Sequence, residues 1–416
     1  MLKNLNIRLK LMIIGSLLTI VPLIAITVMT IVENKQMIKV AEEESTKLAF
    51  AELEDKVSMV YNIADTQHEL LLQTLKSYLN ITQEIVSNNG GISTGTQTVY
   101  WNTVNQYTKQ ITSVKLPTLL NGETWFGQTI KMGENVPVVD KVQALCGGVT
   151  STVFQRINNT GDMLRVATNV LKQDGSRAIG TYIPQINPDG KPNPVVAAVL
   201  AGQTYTGRAF VVDKWYITAY APIYDAKRQI IGALYVGIPI ETTKKLRQDI
   251  LDIKVGETGY AYVLESNGNY LISQHGKRDG DNILDAKDAS GNYFIRNLLK
   301  KAMALNPGET GFISYPWKNQ GDTEARIKDV KFMYFAPWDW IIGVGSYEEE
   351  VLAATRHIDE SASRAAFILI AVTIVAFVAA LLTWFFVSGT IAKPIVKASQ
   401  IVRRIFVERD FTLNIP

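Results

Sequence analysis

Two stretches decide how this chain is organised: LMIIGSLLTIVPLIAITVMTIV at residues 11–32, and AAFILIAVTIVAFVAALLTWFFVS at residues 365–388. Neither contains a charged residue, and as helices rising about 1.5 Å per residue each would cross a hydrocarbon core of roughly 30 Å. Trp384, Phe385 and Phe386 gather at the far end of the second stretch, where aromatic side chains anchor at a membrane interface. A cleaved signal peptide is the competing reading of the first stretch, and the basic start (Lys3, Arg8, Lys10) suits that reading too. The apolar run, however, exceeds a signal core of roughly 7–15 residues, and no small-residue cleavage motif follows it. Both stretches are therefore read as membrane spans.

Lys3, Arg8 and Lys10 flank the first span, and Lys393, Lys397, Arg403 and Arg404 follow the second. The positive-inside rule puts both termini in the cytoplasm and residues 33–364 outside. The 416 residues carry a formal net charge of +3, too small and too mixed to imply nucleic-acid binding. A single cysteine, Cys146, excludes an intrachain disulfide, so the outer region must stand on its own hydrophobic core.

From Glu33 to about Val86 the pattern is one long helix, with apolar or semi-apolar positions at Leu53, Val57, Val60, Ala64, Leu71, Leu75, Tyr78 and Ile85. No Pro or Gly interrupts it between Pro22 and Gly90, so a stalk of about 80 Å is expected. Beyond it the chain turns β-rich. Candidate strands are Ser151–Arg156, Met163–Leu171, Ala209–Val212, Trp215–Ile223 and Ile231–Ile240, with short helices at Pro194–Gly202 and Glu241–Ile253. A second β-rich block holds Gly259–Glu265 and Asn269–Ser273 around a Ser266-Asn267-Gly268 turn, a helix from Phe294 to Leu305, and strands at Gly311–Tyr315, Val330–Phe335 and Trp340–Ser346. Tyr220-Ala221-Pro222 before Ile230-Ile231-Gly232 parallels Phe335-Ala336-Pro337 before Ile341-Ile342-Gly343. Each reads as a strand, a proline-broken turn and a closing strand, which suggests an internal duplication.

The second block contains Gly256-Glu257-Thr258-Gly259-Tyr260-Ala261-Tyr262-Val263-Leu264, Asp285-Ala286-Lys287-Asp288, Gly311-Phe312-Ile313-Ser314-Tyr315 and Pro337-Trp338-Asp339-Trp340. It resembles the membrane-proximal unit of Cache domains, the PAS-like outer sensors of bacterial receptors. The first block, with Val153-Phe154-Gln155-Arg156, Arg165-Val166-Ala167-Thr168 and Gly207-Arg208-Ala209-Phe210, resembles the distal half of double Cache proteins of the Cache 3–Cache 2 type. The stub from Ile391 to Pro416, with Ala392-Lys393-Pro394-Ile395 and Arg409-Asp410-Phe411-Thr412, resembles the start of a HAMP relay. The resemblance implies an α+β fold: two antiparallel sheets flanked by helices, following a long stalk and bracketed by two spans. The expected boundaries are cytoplasmic residues 1–10, span 11–32, stalk 33–90, distal unit 91–245, proximal unit 246–350, a returning helix 351–364, span 365–388 and relay 389–416. It further implies a homodimeric methyl-accepting chemotaxis receptor of the bacterial inner membrane, with a periplasmic or extracellular domain, a small polar or carboxylate ligand in the distal unit, and cytoplasmic signalling partners. The input region of a histidine kinase or diguanylate cyclase is the alternative. The aromatic-Arg-Trp-Tyr-Asp spacing of amino-acid-binding relatives is not recognisable, so an α-amino-acid ligand is not supported.

Arg165 sits within the apolar strand around Met163, Leu164, Val166 and Ala167. Either a ligand carboxylate pairs with it, or it lies on a solvated face or pairs with an acid such as Asp162. Arg208 follows the polar loop Thr204-Tyr205-Thr206-Gly207, which the resemblance places over the pocket; an ordinary strand-start arginine is the other reading. Tyr216, Thr218 and Tyr220 share one face of an alternating strand, as a half-exposed strand or as groups orienting a small polar ligand. Tyr205 and Tyr182 are weaker candidates. His68, His275 and His357 are far apart and lack metal-ligand spacing, and no nucleophile, phosphate-loop or metalloprotease motif occurs, so no catalytic residue, metal or cofactor is expected. His68 is expected at an interface or in solvent, and Cys146 as a small buried hydrophobe. In the stub, Ile395, Ala398, Val402 and Ile405 form either a coiled-coil seam behind a helix starting near Pro394 or a helix on the inner leaflet. The proximal unit is expected mainly to transmit.

Overall fold

The structure, a computed structural model, describes residues 6–240, 244–319 and 323–407. It comprises two compact units, Leu53–Gly345 and Met1–Glu52 with Ser346–Pro416. The first apolar stretch and the stalk form one unbroken helix, α1 (Ile7–Asn88). Beyond Glu52 its buried positions are Leu53, Val57, Val60, Ala64, His68, Leu75, Leu79, Thr82, Ile85 and Val86, which recur at steps of three or four, or their sum, apart from the adjacent Ile85 and Val86 at the end. The seam thus runs through Leu79 where Tyr78 was expected, and through His68. Gly90 at φ +95° and Gly91 at φ +77° end the helix in left-handed backbone, with Gly91 N–H donating to Val86 O at 2.9 Å.

Next in the chain come β1 (Ile92–Asn105), β2 (Ile111–Asn121), β3 (Thr124–Trp125), α2 (Val139–Leu145), β4 (Thr150–Arg156), β5 (Met163–Thr168) and β6 (Thr181–Ile183). After α3 (Pro194–Leu200), the strands β7 (Tyr205–Val211), β8 (Lys214–Tyr224) and β9 (Ile230–Pro239) complete a nine-stranded sheet in the order β3-β2-β1-β6-β5-β4-β9-β8-β7. The second sheet is built from α4 (Lys244–Leu251), β10 (Lys254–Val255), β11 (Gly259–Glu265), β12 (Tyr270–Ile272), α5 (Phe294–Ala302), β13 (Gly311–Trp317), β14 (Arg326–Phe335) and β15 (Trp340–Tyr347). Its order is β10-β11-β15-β14-β13, with β12 also pairing with β11, further along that strand than β10.

The two sheets share one topology. The order β5-β4-β9-β8-β7 in the first matches β12-β11-β15-β14-β13 in the second, and α3 and α5 occupy the same place in the connection. Among the described residues β1 and β6 run parallel, while the other pairings, such as β1 with β2, β8 with β9 and β11 with β15, are antiparallel. The α+β reading therefore holds, with β1–β3 as an addition the hydrophobic pattern does not announce. One proline-broken turn does not form. Pro222 lies within β8, opposite Ala233 on β9, and the chain reverses later, at Asp225–Gln229. Only the second block turns at its proline, in a 3-10 turn at Ala336–Trp338 that leaves Asp339 in left-handed backbone at φ +57°.

α6 (Glu348–Val351) leads into α7 (Ala353–Val407), a helix of 55 residues holding the second apolar stretch. In their own unit the two apolar helices lie side by side. Thr27 and Thr373 share a hydroxyl hydrogen bond of 2.8 Å, the Trp384 ring lies against Gly15, and the Arg8 guanidinium sits 4.8 Å from the Phe385 ring centre. The start of one helix thus meets the end of the other. α7 runs through Pro394, so no helix begins there and one backbone hydrogen bond is given up inside it. The expected start of a helix at Glu241 and the Arg409–Thr412 motif lie outside the described residues.

His68 ties the stalk to the second sheet, since its Nδ1 accepts a 3.0 Å bond from the Trp338 indole N–H, with the Phe335 ring edge-on at 5.8 Å. Burial lowers its pKa below the ordinary 6.5, against the opposing fields of Glu69 and Asp65. The folded state then binds this proton less readily than the unfolded chain. Its contribution is present above pH 6.5 and is lost as pH falls through the depressed folded value. Denaturation of the full chain from pH 8 to 5 should show stability falling below about pH 6.5, and His68→Gln should flatten that slope.

Candidate functional site

β5 is buried along its whole length, and Arg165 in its middle is 0% exposed. Its Nη1 donates to Thr181 Oγ1 at 2.7 Å and its Nη2 to Gln106 Oε1 at 3.5 Å, while its Cζ lies 5.0 Å from the Phe154 ring centre. Its Nε has no partner. Among the described residues no carboxylate pairs with it. Asp162 accepts instead from Asn158 Nδ2 at 2.8 Å and from Gln185 N–H at 2.7 Å, and β5 has no solvated face. Burial lowers the pKa of the Arg165 guanidinium, opposed by the fields of Tyr220, Tyr235, Tyr216 and Tyr107.

Arg177, in the connection between β5 and β6, is the control. It is equally inaccessible at 2% exposure, yet it forms a bidentate pair with Asp140 at 2.9 Å for each bond. It also donates to the carbonyls of Thr168, Glu134 and Lys131. One buried arginine is fully satisfied by the fold, and the other is not.

The side chains around Arg165 come chiefly from β8 and its neighbours. Tyr205 faces Tyr220 across the β7–β8 pair, with ring centres 6.2 Å apart, and Tyr220 packs on Tyr235 of β9 at 4.9 Å and on Phe154 of β4 at 5.9 Å. Tyr216 belongs to the same buried cluster. Burial raises the pKa of Tyr220, Tyr235 and Tyr205, so all three are neutral donors at physiological pH. Tyr205 donates to Arg208 O at 2.7 Å and Tyr235 shares a 3.0 Å bond with Thr150, but the buried Tyr220 hydroxyl has no partner. Thr218 is buried and donates to Gly207 O at 2.8 Å. β8 is buried on both faces from Tyr216 to Ala221, so it is not half-exposed. Tyr182 accepts from Asn105 Nδ2 at 3.3 Å and is partly buried.

Arg208 goes elsewhere. Thr204–Gly207 is not a lid, because β7 already begins at Tyr205 and pairs with β8. Side chains alternate along a strand, so Tyr205 and Arg208, three residues apart, point to opposite faces. Arg208 stacks on Trp215 at 3.8 Å and pairs across to the second sheet, with Glu265 at 2.8 Å and Asp339 at 3.3 Å. The cluster also draws in Gln106, Thr181 and Tyr235, none of which the sequence singled out. Tyr235 had one available signal: it lies in the near-continuous apolar run of β9, in register with Tyr220.

The family model of the Cache 3/Cache 2 fusion domain matches residues 39–361. The chain belongs to this family. Such Cache domains are sensory and bind small ligands, in chemoreceptors and in histidine kinases. Among solved structures, a methyl-accepting chemotaxis protein from Vibrio parahaemolyticus is 20% identical over 27% of this chain and 73% of its own, with a TM-score of 0.24. The extracellular domain of a putative histidine kinase is 12% identical over 73% of this chain and 99% of its own, at a TM-score of 0.40. The ligand-binding domain of Mlp24, solved with asparagine, is 14% identical over 76% and 99%, at 0.39. At these scores the likeness carries no argument about this Cache chain's own ligand.

The two arginines should respond oppositely to mutation. Arg177→Met strands Asp140 and should cost about 3–5 kcal/mol in chemical denaturation of the full chain. Arg165→Met removes a charge that no group neutralises and should leave stability unchanged or higher.

Proposed function

We propose that this Cache protein is the input portion of a transmembrane chemoreceptor and that its distal unit binds a small carboxylate at Arg165. The observation that carries the proposal is a fully buried guanidinium with no counter-charge and a free Nε, beside the unpartnered Tyr220 hydroxyl. A carboxylate accepts two parallel bonds from one guanidinium edge, and a neutral tyrosine adds a third donor. Apolar neighbours such as Phe154, Val196 and Val199 favour a short, weakly polar remainder. Tyr205, Tyr216 and Thr218 shape the surroundings of that site, and Arg208 reports on it.

The relay follows from strand parity. One face of β7 and β8 carries Tyr205, Tyr216 and Tyr220, and the other carries Arg208 and Trp215. A ligand that moves this hairpin therefore moves the Arg208 ion pairs with β11 and with the turn before β15. β15 continues through α6 into α7. Ligand binding can shift this equilibrium only by its difference in affinity between states, typically about 1–3 kcal/mol. In this reading the protein is a homodimer in a bacterial inner membrane, with the sensor outside and chemotaxis signalling proteins as its cytoplasmic partners. Ile395 and Val402, exposed in one copy of α7, supply apolar surface for a dimer seam.

Thermal denaturation of the full chain in lipid nanodiscs against acetate, propionate, pyruvate, succinate, simple amines and sugars tests the ligand class. A carboxylate at 100 times its dissociation constant should add about 2.7 kcal/mol. Arg165→Met should abolish that gain, and stabilisation by amines or sugars alone would overturn the assignment.

The relay has a separate test. With spin labels at Val32→Cys and Ala366→Cys in a Cys146→Ala background, carboxylate should change the distance between the two apolar helices. Arg208→Ala should suppress the change while altering carboxylate affinity less than about threefold.

A further inference from the structure

The second sheet carries a recess of a different chemical character, with a volume of about 910 Å3. Tyr260, Tyr270 and Trp317 give it an aromatic lining. Lys277, Arg278, Lys318 and Arg326 bring four permanent positive charges to it, with His275 beside them. Among the described residues that line it, Asp281 is the one acid, and it is engaged by Arg278 Nε at 3.0 Å. A further cation lies close by: the buried Lys328 Nζ sits 3.5 Å from the centre of the Tyr260 ring.

The loop that supplies three of these groups is tightly built. Asp279 Oδ1 accepts from Ser273 N–H at 2.8 Å and from the Ser273 hydroxyl at 2.7 Å, and Ser273 Oγ accepts from Arg278 N–H at 2.8 Å. His275 at φ +54° and Gly276 at φ +70° turn the chain through left-handed backbone. The cations are thus presented on an ordered turn. Opposite them, Trp317 Nε1–H and the Tyr260 hydroxyl both donate to Asn319 Oδ1, at 2.9 and 3.2 Å, which fixes the aromatic wall.

We infer that this recess in the membrane-proximal unit is a second ligand site, selective for a small anion carrying two or more negative charges. Its sign excludes amines and other cations. Its volume lies in the range of small-molecule pockets, and several cations in one recess favour a di- or trianion over a monoanion, whose charge a single arginine can match. A polycarboxylate or a phosphate ester has that chemistry, and the aromatic wall suits a planar group attached to the phosphate. The inference does not depend on the assignment at Arg165, because the two sites share no residue.

Isothermal titration of the full chain in uncharged phosphatidylcholine nanodiscs, with citrate and AMP as probes and uncharged adenosine as control, tests it. Citrate, AMP or both should bind, more weakly as salt rises. Lys277→Glu with Lys318→Glu should weaken the bound probe at least tenfold, while Arg165→Met leaves it within twofold. Trp317→Leu should weaken AMP more than citrate if the phosphate ester is the better ligand. Should the double reversal melt early, Lys277→Ser alone is expected to weaken binding about threefold. No binding of either probe at millimolar concentration overturns the site, as does binding indifferent to the lysine substitutions or abolished by Arg165→Met.

Discussion

A guanidinium removed from water with no opposing carboxylate among the described residues is the constraint that the first sheet has to meet at Arg165. Burying an ion costs several kcal/mol even after relaxation, and a charge-assisted hydrogen bond restores about 1.5–3. Arg177 meets that cost with two bonds to Asp140 and three carbonyls. Arg165 has a hydroxyl at 2.7 Å, a long contact at 3.5 Å and the face of Phe154, where a desolvated cation–π contact is worth about 2 kcal/mol or somewhat more. The shortfall falls on one edge of the group, at Nε. Under the proposed function an anion arriving there would remove the shortfall, making recognition and relief of an unfavourable native state the same event.

In that proposal, the alternation of side chains along β7 and β8 would give the local event consequences at a distance. Tyr205, Tyr216 and Tyr220 lie back to back with Arg208 and Trp215 on a single hairpin, related by a two-residue period. No long chain of intermediaries is needed, because a rigid hairpin that shifts for one face shifts for the other. The repeated strand order of the two sheets places β11 and β15 centrally in the second, where Glu265 and Asp339 receive Arg208.

Much of this was legible in the sequence, for identifiable reasons. Strands β4, β5, β8, β9, β11 and β15 are dense in apolar residues, and the stalk keeps its helical period over many turns, so both announced themselves. β1 did not: Ser93, Thr94, Gly95, Thr96, Gln97 and Thr98 carry little apolar signal, and the strand is held largely by pairing with β2. Arg177 was hidden because it lies outside the strands and its partner Asp140 is 37 residues away. Arg208 was assigned to the pocket because it follows the polar stretch Thr204–Gly207, which the resemblance reads as a loop over the ligand, though an odd spacing on a strand already separates it from Tyr205. Pro394 was read as a helix start because a proline suits that position, but the helix arriving from the second apolar stretch simply runs past it.

The strength of the Arg208 clamp matters as much as its position. A solvent-exposed ion pair contributes about 0–1 kcal/mol, too little to hold two sheets in register against thermal motion. A fully buried pair costs about 3–5 kcal/mol to break, more than a small ligand's differential affinity can supply. Arg208, Glu265 and Asp339 are 13%, 9% and 23% exposed, which places the clamp between these limits. An interaction of that intermediate strength is firm enough to give one defined arrangement, yet within reach of the few kcal/mol that the proposed relay requires of its ligand. Complete burial of the same three residues would put the clamp beyond that reach.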